Sequence, residues 1–600
     1  MKSTRHLNLA FRPLTNQEYE EGCNSGEEYF FFYPKESSSI NLNSFNKSIP
    51  NELKNEVDQQ LIKQLNSFPL NRIESGLLMD SLKYESTYLW YYHRVRIYFN
   101  LRELMYFEKV IQEALTKENS IRIFTNDKRL IGLFPNEDRI EFKYDTLPSQ
   151  KRSKISKTGA IKYAVSSLVR GIKSVSKSKI IKRKKHLIIV NDDHVDTTDI
   201  KVNQYYANLL RNGDPSKFGV LHLKRAPKPN QTNQLAAKKN LNSSYQSISN
   251  DFIVTLKGLT MFKKMKSIRV FLDSIETLKE EVQNSLSPTH SLFFNEFIHL
   301  RKSSMLYLFQ YECYRAFFKN SNIKTISAIS EQSPNERSII DAAKSCNITT
   351  IGIQHGLISS LVVAYNFNPK ERQFSPFPEH TIVWGKAYRD YLVESGCYSS
   401  DNLHVLGQLR TDLIPDLLTT KKSDLNLPKD PIILFASQPI PNEELRKKVA
   451  SIVKETAQKL PQYHFIIKIH PAEKKEYYQS IFNDLLSKNV QILQKEIHLY
   501  ELLAVSDIVT TCYSTVGKEA VYFNKPLITI DPLRQDIAEF VKDNIAENTT
   551  NSIELIKKIH QVLSDDQKFV GNYASFKEKN ILSIDGQTTQ RYLDFIYSFE

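Results

Sequence analysis

Over roughly the last 270 residues, short apolar runs rich in Ile, Val and Thr alternate with longer stretches of helical periodicity. The runs are Thr325–Ile329, Thr349–Ile353, Thr381–Trp384, Leu403–Leu406, Pro431–Ala436, His464–Ile469, Val490–Leu493, Asp507–Thr510 and Pro526–Ile530. Each is nearly continuous in its hydrophobicity and closes on turn residues. Strands of that kind belong in a parallel sheet covered by helices on both faces, which predicts doubly wound α/β units. An earlier run, His186–Asn191, opens the first such unit.

The N-terminal quarter follows a looser pattern. Tyr84 to Leu115 has the period of a long amphipathic helix, and Ser120–Phe124 and Arg139–Tyr144 alternate as strands, in a subdomain or as part of the first sheet. Residues 226–250, rich in Asn, Gln, Ser and Lys, are expected to form an exposed loop. The pattern breaks again at 419–424 and then restarts. The expected organisation is a 1–150 extension or subdomain, a 151–185 basic segment, a 186–415 α/β domain, a 416–430 linker and a 431–600 α/β domain. Six hundred residues exceed the roughly 250–300 that one hydrophobic core serves, in keeping with two large domains. No repeat of 20–50 residues is present.

Charge changes this picture in one place. The net charge is +14, but residues 151–186 carry 13 Lys or Arg and no Asp or Glu, leaving +1 for everything else. The basicity belongs to a segment, so a nucleic-acid-binding domain is not expected. Within it Ile161, Val165, Leu168, Val169, Ile172 and Val175 share one helical face. The expectation is either an anionic membrane surface bound through 151–185 or a linker helix whose apolar stripe packs on the protein. No run of 18 uncharged apolar residues and no signal-peptide core appears, so a cytoplasmic chain is expected, peripheral to the membrane where the basic segment binds it. Cys23, Cys313, Cys346, Cys397 and Cys512 lack metal-ligand or disulfide-framework spacing and are expected to be reduced.

Two strand ends carry chemistry. In Phe465–Glu473, the order His470-Pro471 at the end of an apolar run aims an imidazole from the sheet edge, because Pro471 biases the residue before it towards an extended backbone. His470 there either donates to a phosphate oxygen or is a satisfied structural histidine. In Ser506–Val521 a strand turns through Ser514 and Thr515 into a helix, whose first amides and dipole favour an anion. The alternative is that Ser514 and Thr515 only cap the helix. Glu519, one turn later, is within reach of a ribose hydroxyl.

Together these motifs resemble the GT-B polysaccharide-assembly enzymes: capsule-type Kdo transferases, bacterial sialyl- and polysialyltransferases and, more distantly, the CDP-glycerol glycerophosphotransferases. The resemblance spans Thr325 to Phe595. It implies two Rossmann-like domains facing across a cleft, with His470, Pro471, Ser514 and Thr515 on the nucleotide, and a CMP-sugar such as CMP-Kdo or CMP-sialic acid as favoured donor. Glu331 and the Gln354-His355-Gly356 turn follow successive strands. By the same resemblance Glu331, or else His355, is the base that deprotonates the acceptor, although Glu331-Gln-Ser departs from the paired acids of the sialyltransferases. Gln354, Gly356, Arg410 and Glu473 are candidate substrate contacts, Arg410 being structural first within His404–Asp412. Ile584–Arg591 resembles the Asp-Gly and Arg close of such chains. No metal or other cofactor is expected. The expected partners are a nucleotide sugar and a glycan or lipid-linked acceptor. A CDP-glycerol-type glycerophosphotransferase, a UDP-sugar 2-epimerase and a non-catalytic nucleotide-binding scaffold stand as alternatives.

Overall fold

The computed structural model describes residues 6–25, 28–32, 44–46, 49–135, 137–145, 165–169, 171–191, 206–223, 246–440, 443–470, 472–486, 488–494, 496–534, 536–564 and 572–600. Their strands form three parallel sheets. In the N-terminal sheet β1 (Leu7–Ala10), β2 (Tyr29–Phe31), β3 (Ser44–Asn46), β8 (Ile121–Thr125) and β9 (Ile140–Tyr144) lie in the order β3-β2-β1-β8-β9. Two small hairpins, β4 (Arg72–Ile73) with β5 (Gly76–Leu77) and β6 (Lys83–Tyr84) with β7 (Thr87–Tyr88), precede the helix Trp90–Leu115. The helix therefore starts six residues later than its periodicity suggests. Glu85, at φ 53°, turns the chain into the second hairpin instead.

The second sheet holds β10 (His186–Asn191), β11 (Phe218–Leu223), β12 (Gln246–Ser249), β13 (Thr325–Ala328), β14 (Thr349–Ile353), β15 (His380–Val383) and β16 (Leu403–Val405), ordered β12-β11-β10-β13-β14-β15-β16. Residues 246–249, expected within a loop, are its edge strand, while 226–245 lie outside the described residues. The third sheet holds β17 (Ile432–Ala436), β18 (His464–Lys468), β19 (Val490–Leu493), β20 (Ile508–Thr511), β21 (Leu527–Ile530) and β22 (Glu547–Thr549), ordered β19-β18-β17-β20-β21-β22. Both orders reverse direction beside their first strand, the doubly wound Rossmann arrangement. Every residue of β10 and of β17 is buried, which is why these strands are continuously apolar. The fold is α/β, with two Rossmann-like domains and a third parallel layer at the N-terminus.

Polar bonds from buried groups join the N-terminal layer to the first Rossmann domain. Arg94, 1% exposed, donates to the Val363 carbonyl at 2.7 Å and lies over the Phe367 ring. Tyr91 donates to Glu371 at 3.1 Å, and Thr87 to Asp341 at 2.5 Å.

The last helix, Thr588–Tyr597, does not stay with the domain that precedes it. Tyr592, Leu593 and Ile596 pack with Ile188, Val190 and Val220 of the second sheet. Asp412 accepts from the Thr588 and Thr589 amides at 2.8 and 2.6 Å, capping the helix. Gly407, at φ +96°, brings the chain close beneath it, and a Cβ there would sit 3.1 Å from Thr588 Oγ1. Among the described residues no helix is long and apolar enough to cross a membrane.

Candidate functional site

In a doubly wound sheet ligands bind outside the carboxyl ends of the strands, at the point where the order reverses. In the third sheet that point lies between β17 and β20. Ser437 and Gln438 follow β17, and Cys512 to Thr515 follow β20. The Gln438 side chain bridges the gap by accepting from the Tyr513 amide at 2.9 Å. Its Nε2 is buried and meets no hydrogen-bond partner among the described residues, so a donor is left in the crevice.

His470 emerges from the adjacent β18 and is half-buried. Its Nδ1 accepts from the Ala472 amide at 3.1 Å, which leaves the proton of the neutral ring on Nε2. Burial lowers its pKa, with Glu473 opposing. The main chain is braced from below. The His470 amide donates to Ser437 Oγ at 2.9 Å, and Ser437 donates onward to Glu473 at 2.5 Å. Glu473 also accepts from Tyr478 at 2.9 Å. Glu473, anticipated as a substrate contact, has both oxygens engaged in holding the His470 turn. Pro471 lies outside the described residues.

Ser514 and Thr515 stand at the start of the helix Val516–Tyr522. Ser514 Oγ takes the Val516 amide at a long 3.4 Å, whereas Thr515 is exposed and its hydroxyl makes no cap. Thr515 and His470 thus stand beyond the ends of β20 and β18, the two strands that flank β17, and the His470 Nε2 proton is left as a donor. Glu519 is engaged elsewhere. It pairs with Arg410 Nη1 at 3.1 Å and accepts from Tyr500 at 3.1 Å, while the Arg410 guanidinium lies over the Tyr500 ring. Arg410 belongs to the segment leaving β16, so this trio ties the first Rossmann domain to the second and uses the carboxylate expected on the ribose.

In the second sheet the reversal point lies between β10 and β13. Asn191 ends β10 and donates to Glu336, which Ser333 also contacts. Residues 192–196 lie outside the described residues. Glu331 follows β13 and is buried, 1% exposed. Neither carboxyl oxygen meets hydrogen-bond geometry, though the Tyr365 hydroxyl stands close enough to favour the charged form. Burial pushes its pKa up to about 8, and the nearby Glu336 adds to the rise. The hydroxyls of Tyr206 and Tyr398, also buried without a hydrogen-bond partner, stand near enough to sense its charge.

The next strand delivers the Gln354 turn. Gln354 Oε1 accepts from the Trp384 amide at 2.8 Å, its carbonyl accepts from Trp384 Nε1 at 3.0 Å, and its Nε2 donates to the Gly356 carbonyl at 3.0 Å. The side chain expected on substrate instead locks the turn to the end of β15. That leaves His355 partly exposed at the sheet edge. Gly356 has an ordinary φ, and a Cβ there would meet nothing within 4 Å, so it opens space beside the imidazole.

The structure therefore places Ser514 and Thr515 at one switch point, His470 at the end of β18 on the other side of β17, and Glu331 and His355 on adjacent strands of the other sheet. It withdraws Glu519, Glu473 and Gln354 into internal bonds. Sequence reasoning missed Ser437 and Gln438, although their place after the central strand of the second restart was the available signal. Among the described residues no three His, Cys, Asp or Glu are grouped to hold a metal ion.

The family model described as CDP-Glycerol:Poly(glycerophosphate) glycerophosphotransferase matches residues 371–598. That span includes Arg410, His470, Ser514, Thr515 and Glu519 and stops short of Glu331 and His355. No curated protein matches the chain. Among solved structures, the wall teichoic acid polymerase TagF shares 13% identity, with 73% of this chain and 98% of that one covered at a TM-score of 0.42. The UDP-GlcNAc 2-epimerase from Neisseria meningitidis, bound to UDP-GlcNAc, shares 12%, with 69% and 100% covered at 0.42.

Proposed function

We propose that the chain is a transferase that takes a CDP-linked polyol of the CDP-glycerol type and passes the phosphopolyol to a hydroxyl of a polymeric acceptor. One coincidence carries this reading. The glycerophosphotransferase family match covers all the nucleotide-side residues, Ser514 and Thr515 at the β17/β20 switch point and His470 at the end of β18 beside it. It moves the preference away from CMP-Kdo or CMP-sialic acid and towards the CDP-glycerol alternative.

The acceptor oxygen attacks the phosphorus that bears the polyol. A new P–O bond forms, the P–O bond to CMP breaks, and CMP leaves with the electron pair. His470 Nε2–H and the Ser514–Thr515 turn donate to the phosphate oxygens where charge grows, stabilising the transition state more than the ground state. The hydroxyl proton passes to His355, whose ring is partly exposed and whose turn Gln354 holds still. Glu331, with a pKa of about 8, is mostly protonated at neutral pH and so is a weak base there. Its role is to keep a neutral carboxyl beneath the acceptor side.

A thermal-shift panel of CMP, CDP, UDP and GDP tests the donor class, since a ligand at 100 times its dissociation constant stabilises by about 2.7 kcal/mol. Stabilisation by the cytidine nucleotides, with CMP release from CDP-glycerol on adding acceptor, is expected. Response to UDP or GDP alone would overturn the reading. CMP release from a CMP-sugar but not from CDP-glycerol would restore the glycosyltransferase reading, and nucleotide binding without turnover of any donor would favour the scaffold.

A further inference from the structure

Gln438 is the residue at which the two halves of the nucleotide side meet. It follows Ser437 at the end of β17, and Ser437 Oγ accepts from the His470 amide at 2.9 Å. The Gln438 side chain reaches the other way. Its Oε1 accepts from the amide of Tyr513, one residue before Ser514, at 2.9 Å. β17 lies between β18 and β20, so the Ser437-Gln438 pair bonds to the turn beyond each flanking strand.

That second bond fixes which end of the carboxamide is left over. A main-chain N–H is met only by the oxygen, so the nitrogen is the end without a partner. Nε2 sits on the same carbon as Oε1 and therefore stands beside the Tyr513 amide. Gln438 is 6% exposed, and its Nε2 is buried with no hydrogen-bond partner among the described residues. A buried donor left unmet is destabilising by more than a met one stabilises, so at the mouth of a ligand crevice it calls for an acceptor on the ligand. Cations do not take this place. Lys468, the lysine nearest His470 in sequence, donates to the Gln494 carbonyl at 2.9 Å, and Lys518, the nearest to Thr515, stands over the Tyr388 and Phe576 rings.

We infer that Gln438 Nε2–H donates to a phosphate oxygen of the bound nucleotide, so that Gln438 is a binding residue of the crevice as well as its brace. In a doubly wound sheet a nucleotide's phosphates lie outside the carboxyl ends of the strands at the switch point, which here is β17 with β20. The inference rests on the proposed nucleotide donor but not on its base or polyol, because CMP, CDP and UDP all present such an oxygen.

Two substitutions test it in the full chain. Gln438→Glu keeps the length and still accepts from the Tyr513 amide, while putting a carboxylate where the donor stood. Gln438→Met removes the donor without adding charge. Binding of CMP, CDP and UDP is measured by isothermal titration, with cytidine as the probe lacking phosphate and inorganic pyrophosphate as the probe lacking the base. Whichever nucleotide the unaltered chain binds should bind Gln438→Met about tenfold to 100-fold more weakly, the loss of one donor to a charged group. Pyrophosphate binding should fall with it, and cytidine binding should stay within about twofold. For Gln438→Glu the weakening should be larger at pH 9 and should shrink towards pH 5, where the carboxyl regains a proton to donate. Nucleotide binding unmoved by both substitutions, cytidine binding that falls as far as CMP binding, or the same weakening by Gln438→Glu at both pH values would each overturn the proposal. A chain that binds no nucleotide overturns it together with the donor reading. Selective binding of UDP that both substitutions weaken overturns the donor reading alone.

Discussion

His470 is held in one tautomer by a single main-chain amide, and that bond decides what the ring can do. With Nδ1 accepting from Ala472, Nε2 carries the proton, and burial keeps the ring neutral near pH 7. In the proposed phosphate-binding role, a neutral donor is not lost as pH rises above 7, unlike an imidazolium. Replacing His470 by Ala should reduce kcat/KM for the nucleotide donor by roughly 100-fold to 1000-fold, the usual cost of removing one preorganised donor, with little change in melting temperature. Nitrogen-detected NMR showing a proton on Nδ1 instead would remove this account. Glu331 titrates in the opposite sense. Its carboxyl stays protonated in the fold up to about pH 8, while the unfolded chain releases that proton near the ordinary glutamate value. The folded state binds the extra proton between those values, so stability falls as pH rises across that window, by at most about 1.4 kcal/mol per unit. Denaturant titrations should show a flatter pH dependence for Glu331→Gln and a more stable variant at pH 8. The strand-end positions of His470 and Ser514 were legible in the sequence because each closes an apolar run. The engagement of Glu473 and Gln354 was not, since Ser437, Tyr478 and Trp384 reach them from other strands and helices.

At the scale of elements, the nine apolar runs of the C-terminal half all became strands of the two doubly wound sheets, because strands buried on both faces announce themselves by continuous hydrophobicity. Gln246–Ser249 gave no such signal, being a polar edge strand with only Ile248 fully buried, and β1 to β3 are too short to show a period. Joints between elements are equally silent in sequence. Gly385 opens the helix Lys386–Glu394, and a Cβ there would stand 2.3 Å from the Asn580 backbone carbon. Main chain cannot yield as a side-chain tip can, so Gly385→Ala should lower stability by several kcal/mol, about 3 or more, read as a drop in melting temperature. Glu519→Gln tests the other joint. Losing the charge opposite Arg410, itself one-fifth exposed, should cost about 2 kcal/mol while leaving the donor KM within about twofold. A tenfold rise in KM at unchanged stability would return Glu519 to the ribose.

The whole molecule is joined by a chain that crosses back on itself. The helix Thr588–Tyr597 follows the second Rossmann domain in sequence yet completes the core of the first, so the division at 416–430 does not separate two independent units. Asp412 caps that helix, Tyr592 donates to the Gly407 carbonyl at 2.9 Å, and Arg591 donates to Leu406 at 3.1 Å. Apart from Tyr592, one residue past the second, these residues lie in the two segments, His404–Asp412 and Ile584–Arg591, that stood out in the sequence as separate motifs. Their pairing was out of reach because about 180 residues of chain lie between them. Truncation before Thr588 would expose the apolar bed of Tyr592, Leu593 and Ile596, three side chains at or below 3% exposure. At about 2 kcal/mol each, the loss is roughly 6 kcal/mol, comparable with the whole stability of a domain. The damage should fall at a distance from the cut. Hydrogen exchange should accelerate in β10 and β11, which carry Ile188, Val190 and Val220, while β17 and β18 keep their protection. Equal loss in both sheets would mean that the two domains unfold as one cooperative unit, and loss confined to β17 to β22 would mean that the last helix belongs to the domain it follows.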